Sequence, residues 1–391
     1  MKRAIKALLS GVFLIILSCG CVQKDSRTHL QFSSWGSKSE IEILEPILNE
    51  FEKENPDIKI DFMHIPQNYF QKLHLLFASN TAPDVIFINN LYLPIYADAG
   101  KLEDLTDYDL IDDDFYPKSI QALSRNGKIY GIPRDISNLV IFYNKNIFDK
   151  NRLPYPDNKT TFAEFLELAK KTTDKENGIF GISFEEDPLF YLPYLMSEGG
   201  GLLADDGQAE ILDTPESQNG INFYSDLRNK YNVAPKKSDS ASLTMAQMFL
   251  QGKLAMHLTG RWLVPKYRES ADFDWDIAQL PKGTKGSIVP LDASGWAISK
   301  DSKHKAQAAK LIKFLSSKES LEKFSKSGLI VPARKSSANS TSFLDGQKPK
   351  NAKVFLEVID TSKPTPVNRN YNEILDKTKQ KLEPLFNKTG R

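Results

Sequence analysis

Trp35, the pair Asn89-Asn90 and the run Asp135 to Asn138 share one property: each falls at the carboxyl end of a segment with strand character. In open α/β sheets the loops at these ends converge on a single crevice, so the four positions are expected to line one cleft. Such a cleft would bind rather than react. His-Glu-x-x-His, Gly-x-Ser-x-Gly, Gly-x-x-x-x-Gly-Lys-Ser/Thr and Gly-x-Gly-x-x-Gly are all missing. The histidines, His29, His64, His74, His257 and His304, show no metal-ligand spacing. No catalytic residue, metal or cofactor is expected. Paired carboxylates for glycoside hydrolysis come from distant parts of a chain, so a glycan-acting enzyme at the cell surface stays open as an alternative.

The elements that must hold these residues alternate. His29 to Trp35 reads as a strand, and Ser39 with Glu42 has capping-box spacing. Ile41, Leu44, Ile47, Leu48 and Phe51 then recur at helical spacing until Asn55-Pro56. A strand at Ile58 to Met63, a helix over Tyr69 to Ser79 and a buried-type strand at Pro83 to Ile88 complete the unit. This order predicts a mostly parallel sheet with helices on both faces. The pattern restarts with strands at Ile129 to Pro133 and Leu139 to Tyr143, and a second capping-box spacing at Thr161 and Glu164. Further strands are expected over 178–184 and Lys253 to Leu258, and a long amphipathic helix over Pro215 to Lys230. Asp272 to Ile277 places Phe273, Trp275 and Ile277 on one face, so Trp275 is expected in the core. Helices near Lys303 to Ser316, Lys318 to Ser327, Ala352 to Ile359 and Tyr371 to Phe386 close the chain.

Residues 1 to 21, MKRAIKALLSGVFLIILSCGC, read as an export leader. Lys2, Arg3 and Lys6 precede an apolar run from Ala7 to Leu17, too short to span a bilayer that needs ~20 residues. Leu17-Ser18-Cys19-Gly20-Cys21 resembles the lipobox of bacterial lipoproteins. A signal peptide over 1–20, lipid on Cys21 with Cys19 as the alternative, and a polar tether over 21–28 are expected; an ordinary signal peptide is the rival. No cysteine follows residue 21, which excludes disulfides, thiolate zinc sites and a cysteine nucleophile beyond it. The chain has 51 basic and 50 acidic side chains, and the leader removes three basic ones, leaving 48 against 50 and a net charge of −2. A near-neutral protein has no field for broad nucleic-acid binding. About 370 residues remain, more than one core usually supports, which predicts two lobes.

The segment Met248-Phe-Leu-Gln-Gly-Lys-Leu-Ala-Met-His-Leu-Thr-Gly-Arg-Trp262 closely resembles a signature of extracellular solute-binding proteins of carbohydrate ABC importers, the maltose-binding protein class. Pro83-Asp-Val, Ala99-Gly-Lys-Leu-Glu-Asp-Leu-Thr, Phe142-Tyr-Asn-Lys-Asn-Ile-Phe148, Thr161-Phe-Ala-Glu-Phe-Leu-Glu-Leu-Ala and Gly295-Trp-Ala-Ile-Ser-Lys-Asp are similar to that family and stand in its order. The resemblance implies an α/β, two-lobed, type II periplasmic-binding-protein-like fold with a hinge. Lobe 1 would take residues 29–137 and 292–331, and lobe 2 residues 138–291 and 332–391.

The resemblance also implies a sugar between the lobes, with Trp262 stacked on it. A pyranose has an apolar C–H face and a rim of hydroxyls, so flat rings cover its faces while amides, carboxylates and Arg meet its edge. The family's polar position after the strand falls on Asn89 and Asn90, with Tyr92 close behind, and its hinge position on Asp135 and Ser137. Trp35, Arg261 and Asp292 are further ligand candidates, Phe190 or Tyr191 occupies an aromatic-rich segment, and Trp296 suits stacking or core equally. Asp135 has a rival role as a turn residue or a partner of Arg134. Leu91 and Tyr92 stand where maltose-binding protein has an Asp-Arg pair, a departure from that class at a position implied to meet maltose. The implied partners are a carbohydrate, a membrane permease with its ATPase, and the membrane through the lipid; the receptor would be a monomer held outside the cytoplasm. A glycerol phosphate or polyamine ligand in the same fold is the other alternative.

Overall fold

A computed structural model describes residues 25–240 and 242–388. The leader and both cysteines lie outside the described residues. Among the described residues thirteen strands run in order: β1 (Thr28–Ser34), β2 (Ile58–His64), β3 (Val85–Asn89), β4 (Ser124–Arg125), β5 (Lys128–Ile129), β6 (Ile132–Ser137), β7 (Leu139–Asn144), β8 (Phe180–Ile182), β9 (Leu254–Gly260), β10 (Trp275–Ala278), β11 (Pro290–Ile298), β12 (Val331–Pro332) and β13 (Lys363–Pro364). They build a larger sheet in the order β12-β6-β11-β3-β1-β2, with β13 beside β11, a smaller sheet in the order β10-β7-β9-β8, and a two-stranded ribbon of β4 and β5.

The expected strand-helix alternation holds through β3. Helix Lys38–Glu54 buries Ile41, Leu44, Ile47, Leu48 and Phe51 on one stripe, and Tyr69–Ala78 buries Tyr69, Leu73 and Phe77. These crossovers make β2, β1 and β3 parallel. The first helix starts earlier than the Ser39 spacing predicts: Ser37 is the N-cap, its hydroxyl accepting from the Glu40 N–H, and it also bonds Ser39. At Thr161 the expected capping box forms, with Glu164 returning the bond.

The sheets are mixed rather than mostly parallel. β11 runs antiparallel to both β3 and β6, and β7 runs antiparallel to β9 and β10. Such pairs arise where the chain re-enters a sheet from the other lobe instead of through a crossover helix. Passage between sheets is abrupt. β6 ends at Ser137 in the larger sheet and β7 starts at Leu139 in the smaller, so only Asn138 separates them. Its side chain is buried, and its amide donates to the Phe355 carbonyl at 2.9 Å. The chain returns at β11, and Pro332 of β12 still pairs with Asp135 in the larger sheet.

Each sheet carries its own aromatic cluster. Phe32, Phe87 and Trp296 meet at centroid distances of 5.2–5.7 Å in the larger sheet, and Phe142, Tyr267 and Trp275 at 5.5–5.9 Å in the smaller. Trp275 lies in the core as its spacing predicts, 1% exposed.

Candidate functional site

A cavity of about 400 Å³ opens between the carboxyl ends of strands from both sheets. Trp35, one residue past β1, lines it from the larger sheet; Trp262, two residues past β9, lines it from the smaller. The two indoles are 45% and 36% exposed, although most large apolar side chains of the protein are buried. Exposed indole surface in contact with water is unfavourable unless something covers it, so these rings mark where a ligand gains most. Trp262 stands in a short 3-10 turn, Arg261–Leu263, that turns the chain sharply after β9.

The polar groups of the cleft are held in place before any ligand arrives. Arg134, 4% exposed, donates through Nε to Asp135 Oδ2 at 2.5 Å and through Nη1 to Glu40 Oε1 at 2.7 Å. Its guanidinium also stacks near Phe87, Trp296 and Phe324 at 5.1–5.6 Å. Burial pushes the Asp135 carboxyl up, against the pull of Arg134. Asp292 has no cation at hand: its Oδ1 accepts from Asn90 Nδ2 at 2.8 Å and Thr365 Oγ1 at 2.6 Å, and burial pushes its carboxyl up as well. A carboxylate only accepts, so the oxygens left over on Asp135 and Asp292 are ready for hydroxyl donors.

Arg261 is the reverse case. It lines the cleft and is 2% exposed, yet none of its three guanidinium nitrogens has a hydrogen-bond partner among the described residues. The ring of Phe343 lies 3.9 Å from the guanidinium carbon and that of Phe355 lies 5.4 Å away. Burial, with the charge of Arg268 nearby, pushes its pKa down to about 9.

The structure thus brings Trp35, Asn89, Asp135, Arg261, Trp262 and Asp292 to one cleft, together with Ser137 and Asn138. It places the other candidates elsewhere. Asn90 is 1% exposed, and its side chain is spent on Asp292 and the Ala293 N–H. Tyr92 stacks flat on Phe70 at 3.8 Å, outside the cleft walls. Tyr191 is fully buried against Phe386 and Tyr224, Phe190 is half-buried beside it, and Trp296 is fully buried in the core.

Several cleft residues were not singled out by the sequence. Asp187 is the N-cap of helix Pro188–Ser197, and Asp-Pro ahead of an apolar run was the available signal. Glu40 could have been suspected from its place five residues after Trp35. Tyr371, which opens the last helix, carries no local signal. Among the described residues no group of His, Cys, Asp and Glu is suited to hold a metal ion, and no helix is long and apolar enough to cross a membrane.

The galactooligosaccharide-binding protein of Bacillus subtilis (strain 168) is 25% identical, the match covering 95% of this chain and 89% of that protein. The maltodextrin-binding protein MdxE of the same organism is 26% identical over 83% of this chain and 78% of its own. Among solved structures, the ABC substrate-binding protein Lmo0181 from Listeria monocytogenes in complex with cycloalternan superposes with a TM-score of 0.84 at 29% identity, covering 92% of this chain and 94% of that one. The larger and smaller sheets are accordingly the two lobes of a type II periplasmic-binding-protein fold. A family model described as bacterial extracellular solute-binding protein matches residues 36–322, and the chain belongs to that family.

Proposed function

We propose that this protein binds a sugar or oligosaccharide in the cleft between Trp35 and Trp262 and delivers it to the permease of an ABC importer. The observation that carries this reading is the pair of exposed indoles, one from each sheet, with fixed carboxylates between them. Rings and acceptors in that arrangement match the faces and edges of a pyranose. The relatives point the same way, since their names give galactooligosaccharide, maltodextrin and cycloalternan as ligands.

On this reading the cleft closes by a population shift: a ligand touching both indoles stabilises only the conformation in which the lobes approach. The lobes follow residues 29–137 with 292–331, and 138–291 with 332–391, except that β13 (Lys363–Pro364) returns to the larger sheet beside β11 and so belongs with the first lobe. No covalent step is involved, and the receptor acts as a monomer outside the cytoplasm. Lipid on Cys21, or on Cys19, tethers it to the membrane and raises its effective concentration at the permease. Isothermal titration against a saccharide panel tests the ligand class. Heat on binding for at least one saccharide supports it; silence for every saccharide beside a signal from a phosphate ester or polyamine contradicts it.

A further inference from the structure

A second cavity, about 620 Å³ and larger than the first, adjoins the cleft and shares Leu192, Thr365 and Tyr371 with it. Its chemistry is different. The walls are aliphatic, from Leu192, Met196, Leu202, Ile211 and Ile288, and Tyr371 supplies the single ring. Charges stand only at the exposed rim, where Lys363 pairs with Asp205 beside Asp206 and Lys285.

The cavity is preformed. Its loop, Gly199–Leu203, is pinned by Ser217: the Gly201 N–H donates to the Ser217 hydroxyl at 3.0 Å, and that hydroxyl lies 3.1 Å from the Gly201 carbonyl. At Gly200 a Cβ would come 2.4 Å from the Ser217 nitrogen, so only glycine lets the loop press this close to helix Pro215–Asn229. Thr365, in the partition between the cavities, is fixed by its bond to Asp292.

A pyranose moved from the first cavity to the second would lose its stacking platforms. An alkyl or aryl group would gain, because it replaces water against aliphatic walls. We propose that the second cavity is an aglycone site, taking the apolar substituent of a glycoside whose sugar sits between Trp35 and Trp262. The assignment rests on the sugar-binding reading of the cleft.

The test is calorimetry of the full-length protein with matched methyl and hexyl glycosides of glucose, galactose and maltose, and with maltotriose as an unsubstituted longer chain. Burial of about two of the added methylenes corresponds to roughly tenfold in affinity. The expected result is that a hexyl glycoside binds at least roughly tenfold more tightly than its methyl partner, and that Ile211→Asp removes this advantage while leaving methyl glycoside affinity in place. Ile211→Trp, which fills the cavity without burying a charge, serves if Ile211→Asp fails to show a normal thermal transition. Equal affinities for the methyl and hexyl members, or an advantage that survives both variants, overturns the aglycone site while the sugar cleft stands. So does a penalty from both variants that falls on maltotriose alone. Absence of binding by every saccharide in both series overturns the cleft reading and this one with it.

Discussion

The indole of Trp262 lies over Gly260, where a Cβ would stand 1.9 Å from ring carbon Cζ3. The backbone at Gly260 is ordinary, with φ −108° and ψ 179°, so alanine is excluded there by the ring and not by the main chain. Gly260→Ala is expected to push the indole off its position and weaken saccharide binding at least about tenfold, with the thermal midpoint close to that of the parent. Titration calorimetry paired with a melting curve checks this, and unchanged affinity would show that the position of the ring does not matter.

Asp292 gives the protein a pH signature. Burial raises its carboxyl above the ordinary 3.8, so the folded state holds this proton more firmly than the unfolded chain. Its ionisation therefore costs stability, and that cost grows as pH rises from the ordinary aspartate value through the raised one. Asp292→Asn keeps an oxygen to accept from Asn90 and Thr365 and removes the charge. The variant is expected to melt higher than the parent at pH 8, to match it more closely at pH 4, and to bind saccharide less tightly. A melting point below the parent's at pH 8 would mean that the carboxylate is compensated in the fold.

Arg261 is a buried cation without an acceptor among the described residues, which a free receptor tolerates at a cost. Arg261→Met keeps an unbranched stem against Phe343 and Phe355. We expect it to leave the ligand-free protein unchanged or more stable by ~1 kcal/mol in denaturant unfolding. Destabilisation by 2 kcal/mol or more would instead assign the guanidinium a structural partner.

Lys118 ties a helix packed on the larger sheet to one packed on the smaller. Its ammonium donates to the carbonyls of Ile359, Asp360 and Ser362 at 2.7–2.8 Å, tying helix Pro117–Ala122 to the carboxyl end of helix Val354–Thr361. That second helix packs on the smaller sheet through Phe355 and Phe142. Lys118→Met leaves three carbonyls without this donor, and a loss of roughly 1–2 kcal/mol in urea unfolding is expected. The same variant should alter the distribution of lobe separations in small-angle scattering of the ligand-free protein, whereas a purely local contact would leave the scattering curve unchanged.

How much was legible in the sequence depended on whether the relevant physics was local. The strands around β1 to β3, the helix with its stripe from Ile41 to Phe51 and the capping box at Thr161 follow from spacing alone, and they appear within a few residues of expectation. Trp35 was legible because it ends a strand, and Trp262 because it stands in the segment that resembles the family signature. Trp296 and Tyr191 were not, because their burial is decided by Phe32 and Phe87 in one case and by Tyr224 and Phe386 in the other, all far away in the chain. Antiparallel β11 was hidden for the same reason: strand direction depends on which lobe the chain returns from, and no local pattern encodes that.

A saccharide held between two indoles supplied by different lobes depends on both rings. Titration calorimetry of the parent, Trp35→Ala and Trp262→Ala against whichever saccharide the panel identifies tests it most directly. Each truncation is expected to weaken binding at least about tenfold while both variants keep a cooperative thermal transition. Parent-like affinity in both folded variants would contradict it.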